Sequence, residues 1–591
     1  MPQTFGPTIH DDGTTTFRLW APDCNAVKVA VADRAPKLMN RCENGFFDIR
    51  TEARAGELYG FDIGIDKMLP DPASRFQPNG VHERSQLAEP PKSDTFWKGV
   101  SKVDLIIYEL HIGTFTDAGT YEGASDRLPE LVELGITAVE LMPLAQSAGG
   151  WNWGYDGVNL YAPHHAYGTP QDLQDFIHAA HGHGLAVILD VVYNHFGPEG
   201  NYLGLFGVYI SKRHSTPWGD APNFDGEGSE FLRRFILENI GYWIETFGFD
   251  GIRLDATHCI ADNSEPHIVR EIGETCRRVE KEQGRFIHLI AESNIYDPEL
   301  LLPLDEGGFG FDGLWCDDFI HSVYAALAPG QHLSDRQYES GSDLDLILRR
   351  GYVFHGTLRT ARERHLLEEY PEKVGMESVV AAIQNHDFIG NRPAGLRLHK
   401  TISLDAQRAA AALLLLSPSI PMLFMGEEFA SDSPFHFFAD FGDSKIRRAV
   451  ERGRRAEHPQ HDWKNAVSPL SEAAYVDSKI NAADVGDLEI LKWYRELIAI
   501  RKSWIEAGYL CSENLDANWD SIRSVGILRY RKRDAEKNQF IVVRLHPVDH
   551  EPPPLSIQID GEVLLSHNYD SPGDLTGSFA IIVGNGSAEI R

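Results

Sequence analysis

The pattern of apolar positions changes character twice along the 591 residues. Up to about residue 90, short runs are separated by Pro- and Gly-containing turns. Residues 14–20, 27–31, 45–49 and 58–63 each predict a strand, and such spacing predicts an N-terminal β-sandwich over 1–90. It closes in a proline-rich stretch from Leu69-Pro70-Asp71-Pro72 to Pro90-Pro91. From about residue 104, apolar runs alternate with amphipathic helices. Strands are predicted at 105–108, 138–142, 185–189, 251–254, 287–290, 313–315, 379–383 and 422–424. One intervening helix buries Leu128, Leu131 and Val132 and stops at Gly135. Another takes Thr169 as N-cap and Pro170 as first residue and buries Leu173, Phe176, Ile177 and Ala180. A third, over 229–247, places Leu232, Phe235, Ile236, Ile240, Trp243, Ile244 and Phe247 on one face. Eight strands each followed by helix predict an α/β fold, a parallel (β/α)8 TIM barrel over 91–505. That span exceeds the roughly 250 residues typical of such barrels. Insertions are therefore expected, at 196–228 and 325–375. After a helix containing Trp493 to Ile500, strand-like runs at 527–530 and 540–543 predict a C-terminal β-sandwich domain over 506–591.

The chain is 42% hydrophobic and 24% charged, as an ordinary folded protein is, which excludes a wholly disordered one. Its 55 basic and 87 acidic residues leave a net charge of −32. Such a charge repels phosphate backbones and anionic lipid, so neither nucleic acid nor a membrane surface is an expected partner. A neutral substrate is compatible with it. The longest apolar run, Ala409 to Leu416, is too short for a membrane span, and Met1 to Phe17 lacks a signal-peptide core. Six scattered cysteines without CxxC spacing suit reduced thiols and a cytoplasmic protein. Nothing in the sequence names a protein partner.

In parallel barrels the reacting groups sit at the C-terminal ends of the strands. Four predicted strands deliver carboxylates there: Asp190 ahead of Asn194-His195, Asp255 after Arg253-Leu254, Glu292 after Ala291, and Asp387 after Asn385-His386. Paired carboxylates facing one pocket are what glycosidic bond cleavage needs, one protonated to release the leaving oxygen and one ionised to attack or shield the anomeric carbon. Arg253 and Asp255, two apart, point the same way, and the guanidinium would keep Asp255 ionised. The apolar approach His288 to Ala291 would bury Glu292 and raise its pKa, as an acid/base requires. Asp387 beside His386 could bind sugar hydroxyls.

These segments, in this order and spacing, resemble the four signature motifs of the α-amylase family of retaining glycoside hydrolases. Phe17-Arg18-Leu19-Trp20-Ala21-Pro22 resembles the N-terminal sandwich of its branching and debranching members. The resemblance implies Asp255 as nucleophile, Glu292 as acid/base and Asp387 as transition-state stabiliser. It also implies that Tyr155, within Trp153-Gly154-Tyr155-Asp156, stacks on the sugar, and that Asp190, His195, Arg253 and His386 bind or orient it. A narrower resemblance is carried by Pro70 to Pro78, Asp255-Ala256-Thr257-His258, Trp315-Cys316-Asp317-Asp318-Phe319, Asn385 to Arg392 (with Ile389-Gly390-Asn391-Arg392) and Met425 to Phe429. These are similar to a branch of the family that cleaves the α-1,4 bond joining a terminal trehalose to a maltooligosaccharide. It implies substrate contacts from Thr257, His258, Trp315, Asp317, Asp318, His321 and Asn391 on an α-1,4-glucan ending in trehalose. The segments Ser293–Tyr296 and 354–357 depart from the branch's pattern. Branching enzymes, which are transferases, use the same three carboxylates, whereas a non-catalytic glucan-binding barrel should lack one of them.

Trp151 and Trp153, among glycines on a loop, are expected to stack on sugar; Trp315 suits either a barrel layer or a subsite wall. His164, His165, His181 and His183 have no completing carboxylate or cysteine spacing and are expected to be solvated rather than to hold a metal. Asn194 could hold calcium in some relatives, but this branch does not resemble the calcium-dependent ones. No metal and no cofactor are expected.

Overall fold

A computed structural model describes residues 4–91, 96–328, 336–339, 341–356, 375–464, 466–481, 483–533, 535–547, 552–570 and 573–591. Two four-stranded antiparallel sheets form the N-terminal layer pair. One places Thr14–Trp20 beside Phe46–Glu52; the other places Lys28–Val31 beside Leu58–Asp62. Their inner faces meet where the rings of Phe17 and Tyr59 lie 5.0 Å apart. The pair docks on the barrel through aromatic contacts to the helix Ser229–Gly241: Trp20 stacks on Phe231 at 4.9 Å and Phe5 meets Phe235 edge-on at 5.2 Å.

Eight parallel strands close into a barrel: β1 (Ile107–Leu110), β2 (Ala138–Leu141), β3 (Ala186–Val191), β4 (Gly251–Leu254), β5 (His288–Glu292), β6 (Gly313–Trp315), β7 (Val379–Ala381) and β8 (Ile420–Phe424), with β8 returning to β1. The expected strands are all present. The first runs two residues later than its apolar run, because Leu105 fills the barrel interior beneath the ladder with Ile107, Ala186 and Met422. The helix expected over 229–247 is α-helical to Gly241 and then widens into a π turn, Tyr242–Phe247, which an unbroken apolar face does not reveal. The 196–228 insertion carries an antiparallel pair, Ile210–Ser215 with Asp220–Pro222. Within 325–375 the described part includes the helix Ser342–Arg350; residues 329–335, 340 and 357–374, Thr357 among them, lie outside the described residues.

A seven-stranded sheet follows the barrel, running from Leu515–Asp520 to Phe579–Ile590. It is anchored by Tyr530, whose hydroxyl donates to the Leu416 carbonyl at 2.6 Å. Arg501 donates at 2.8 Å to the carbonyls of Leu415, Ser417 and Ser419 at the end of the preceding barrel helix. Among the described residues no helix is long and apolar enough to cross a membrane.

The barrel floor is pinned by one carboxylate. Asp250, fully buried just ahead of β4, accepts from Arg285 Nη1 (2.6 Å), Trp97 Nε1 (2.7 Å), His181 Nε2 (2.8 Å) and the Val187 amide (2.9 Å). The Trp97 ring stacks on His181 at 4.7 Å. The expectation that His181 and His164 are solvated is therefore corrected: both are buried, His181 on Asp250 and His164 stacked on His165. Their helix-end and loop positions concealed this, because the covering groups come from distant segments. Replacing Asp250 by Ala leaves Arg285 buried without its counter-charge and should destabilise the protein by about 3–5 kcal/mol. A clear drop in thermal unfolding midpoint, with unchanged turnover per folded molecule, is the expected result. Turnover falling while the midpoint holds would contradict it.

Candidate active site

The register of the barrel assembles the rim. Asp190 on β3 lies opposite Arg253 on β4, and Glu292, the last residue of β5, lies opposite Trp315 on β6. Asp255 follows β4 by one residue, and Asn385-His386-Asp387 opens a short helix after β7, with Asn385 as N-cap. Parallel strands in close register thus bring residues about 200 positions apart to one end of the barrel.

Arg253 is the hub. It is fully buried, and its Nη1 lies 2.7 Å from Asp190 Oδ2 and 2.8 Å from Asp255 Oδ1, while its Nη2 lies 3.1 Å from Glu292 Oε2. Its guanidinium sits 4.3 Å from the centre of the Trp315 ring. The second oxygen of Asp255 accepts from Asn194 Nδ2 at 2.7 Å, so both oxygens are anchored. Ala256 adopts a left-handed conformation (φ 38°, ψ 52°), a strained choice for a residue with a Cβ, and its amide donates to Glu292 Oε2 at 2.6 Å.

Burial pushes the Glu292 carboxyl up to about 8, reinforced by Asp255 and Asp387 and opposed by Arg253 and the Ala256 amide. Burial likewise raises Asp190 to about 6 against the pull of Arg253. For Asp387 desolvation acts upward as well, but the neighbouring His386 and Arg253 outweigh it and hold the group below its usual value. Burial would depress His386, but Asp387 and Glu109 lift it to about 10. Its Nδ1 bonds to Glu109, whose Oε2 also accepts from the His386 amide at 3.1 Å, and its Nε2 lies 3.6 Å from Asp387 Oδ1. The Tyr155 ring stacks on His386 at 5.2 Å, and its hydroxyl reaches His386 Nε2 at 2.8 Å and Asp190 Oδ2 at 2.7 Å. A continuous chain of bonds therefore runs from Glu109 through His386, Tyr155 and Asp190 to Arg253. His195 is held against the Tyr155 carbonyl at 3.0 Å.

A cavity of about 290 Å³ opens beside this rim, lined among others by Glu292, Asp317, His321, Asp387 and Asn391, with the edge of Trp315. Trp315 takes both of the places open to it: a barrel-interior residue that also walls the cavity. Asp317 Oδ1 accepts from Trp315 Nε1 (2.9 Å) and Asn385 Nδ2 (3.1 Å). His258 is half-buried near Asp255, and burial together with Arg336 lowers it to about 4, so it is neutral.

Three expected sugar contacts are corrected. Trp153 is only 2% exposed; it stacks on Phe435 and donates its Nε1 to the His436 carbonyl, so it supports Tyr155 and His386 from behind. Thr257 is buried and donates to the Leu254 carbonyl at 3.1 Å. Asp318 is buried beneath the rim and accepts from the Val353 and Phe354 amides at 2.7 and 2.8 Å, a loop anchor rather than a sugar ligand. Trp151 stacks on Tyr475. Glu109 is the main residue that sequence reading missed. An acid inside the run Ile106-Ile107-Tyr108-Glu109-Leu110 is the signal that could have revealed it.

Residues 87–206 match the model of the alpha amylase catalytic domain. The chain is 41% identical to a malto-oligosyltrehalose trehalohydrolase of Saccharolobus solfataricus, covering 89% of this chain and 92% of that protein. The chain belongs to the malto-oligosyltrehalose trehalohydrolase branch of the α-amylase family. A relative of the same name from Mycobacterium tuberculosis is 35% identical over 97% of both chains. A crystal structure titled a putative alpha amylase from Salmonella typhimurium superposes with a TM-score of 0.86 at 32% identity, covering 99% of this chain and all of that one. The family is one of glycoside hydrolases, for which a protonated carboxyl beside an anchored carboxylate is the working requirement.

The position of the Glu292 pKa can be checked without turnover. In infrared difference titration the protonated-carboxyl band that vanishes as pH rises through about 8 should be smaller in the Glu292→Gln protein, with the remainder from Glu427, which burial also pushes up to about 8. A band of the same amplitude in both proteins would show that Glu292 does not carry the proton.

Proposed function

We propose that the chain is a retaining hydrolase that cleaves the α-1,4-glucosidic bond next to the terminal trehalose of maltooligosyl trehalose and releases trehalose. The observation that carries this reading is one buried guanidinium shared among Asp190, Asp255 and Glu292, beside a cavity lined by Glu292 and Asp387. The names of the relatives supply the substrate class.

In this reading Asp255 attacks the anomeric carbon while Glu292, protonated below about 8, gives its proton to the leaving oxygen. The C–O bond to trehalose breaks as the bond to Asp255 forms. Glu292, now a carboxylate, takes a proton from water, which displaces Asp255 and restores the starting configuration. Asp387 accepts hydrogen bonds from ring hydroxyls as positive charge develops. Tyr155 stacks on the sugar, His321, Asp317, Asn391 and Trp315 line the path, and His195 and His258 flank Tyr155 and Asp255. Every step uses side chains of this chain. The negative surface suits a neutral glucan, and six cysteines without CxxC spacing support placing the protein in the cytoplasm.

Incubation with maltooligosyl trehalose should release free trehalose, with little hydrolysis of plain maltooligosaccharide. Longer, branched glucan from amylose, with no trehalose from the first substrate, would instead make the protein a branching enzyme. Asp255→Asn should lower kcat by at least about a thousandfold with the fold intact, since no covalent intermediate forms. Glu292→Gln should spare the first step for substrates with good leaving groups and lose the alkaline limb near pH 8 expected of wild type. Equal slowing for good and poor leaving groups would remove Glu292 from the acid role.

A further inference from the structure

Asp387 differs from the other rim carboxylates in one respect: none of its polar contacts comes directly from Arg253. Its Oδ1 accepts from Asn391 Nδ2 at 3.0 Å. On the other side of that amide, Asn391 Oδ1 accepts from Arg454 Nη2 at 2.8 Å. Arg454 lies in the last turn of the helix Ser444–Glu457, which follows β8 and buries no residue fully. The arginine side chain is nevertheless only 10% exposed. It rests 4.2 Å over the Phe437 ring and faces Glu457 Oε2 at 3.4 Å. Glu457 in turn accepts from Trp218 Nε1 at 3.1 Å, which ties this turn to the insertion after β3.

A primary amide has a donor end and an acceptor end. A cation on the Asn391 oxygen fixes which end faces Asp387 and polarises the N–H bonds toward it. Without that cation the amide can rotate and present its oxygen to a carboxylate, which is repulsive. We propose that Arg454 is a positioning residue that acts through the Asn391 amide to hold the Asp387 carboxylate ionised and aimed at the sugar, so that docking of the Ser444–Glu457 helix completes the site. This rests on the reading of Asp387 given above.

The groups facing Asp387 are His386, Arg253 and Arg454 as cations, Glu292 as an acid, Tyr155, and the Asn391 amide; Asp317 stands nearby. Removing Arg454 takes away one cation and one fixed donor, so Asp387 binds its proton at higher pH. Activity that needs the ionised form is then lost earlier as pH falls.

The test is steady-state kinetics of Arg454→Ala, Arg454→Lys, Asn391→Ala, the double variant and Asp387→Asn on maltooligosyl trehalose. Arg454→Ala should lose about ten- to a hundredfold in kcat. Its acid limb should move to higher pH, and millimolar guanidinium should restore part of the rate. Arg454→Lys should recover part of it without additive. Arg454→Ala in the Asn391→Ala background should cost little more, because the effect runs through that amide. An unshifted acid limb with no guanidinium response, whatever the fall in rate, overturns the proposal, as does full additivity in the double variant. If Arg454→Ala does not fold, the acid limb and rate of Arg454→Lys decide in the same sense. Asp387→Asn separates the two readings: an active Asp387→Asn enzyme means the assignment of Asp387 fails, whereas an inactive one beside a wild-type-like Arg454→Ala means this inference alone fails.

Discussion

One buried positive charge shared by three acids governs this site. Arg253 is out of contact with water, and a guanidinium in that position is tolerable only with anions against it. At an effective dielectric constant near 20, each contact at about 3 Å is worth roughly 5 kcal/mol before desolvation is subtracted. The same arithmetic applies with opposite sign between the acids. One cation cannot hold three neighbouring carboxylates in the ionised state, so part of the set must keep protons. The barrel decides which. Asp255 lies 2.8 Å from the cation and has a second donor in Asn194, whereas Glu292 lies 3.1 Å from it, and burial beside Asp255 and Asp387 pushes it up to about 8. Division of labour between two chemically similar carboxyls follows from this shortage of positive charge.

The second cation answers a different need. His386 is lifted to about 10 by Asp387 and Glu109 although burial works against it, and so it remains charged where an isolated histidine would be neutral. Its charge lies on the Asp387 side of the rim, while that of Arg253 lies on the Asp255 side. Tyr155 joins the two halves, since its hydroxyl touches both His386 and Asp190. Orientation of the sugar platform is therefore coupled to the electrostatics of the carboxylates below it.

Much of this was legible in the sequence because barrels repeat. Strand periodicity located all eight strands, and the rule that chemistry sits at their C-terminal ends selected Asp190, Asp255, Glu292 and Asp387. What remained hidden depended on contacts that periodicity does not encode. Glu109 lies within an apolar run and announces itself only as an acid where an aliphatic residue belongs. Trp153, Thr257 and Asp318 stand within two residues of rim residues in the chain, yet their side chains turn inward, because they lie on a loop, a 3-10 turn and a helix start, where the strand's alternation no longer fixes direction. The helix Ser444–Glu457 has no fully buried residue, so no apolar stripe marks it, although its last turn reaches the site through one arginine.

The two ends of the barrel show the same chemistry put to opposite uses. At the floor, one carboxylate, Asp250, is met by four donors, and Arg285 and His181 are both spent on it. Such a network, in which both oxygens of the carboxylate are taken by donors, holds elements together. At the rim the proportion is reversed, with acids in excess of cations. There Asp190 Oδ1, Glu140 Oε2 and Arg253 Nε are buried without a hydrogen-bond partner among the described residues. Burial raises Glu140 well above the ordinary carboxyl range, which adds a neutral acid beneath the charged ones. An unsatisfied rim costs stability, and the closed, hydrogen-bonded barrel wall supplies it from below. The free energy held in that imbalance is available when a developing positive charge on the sugar enters the cleft, because the site already has more negative charge than Arg253 and His386 can neutralise.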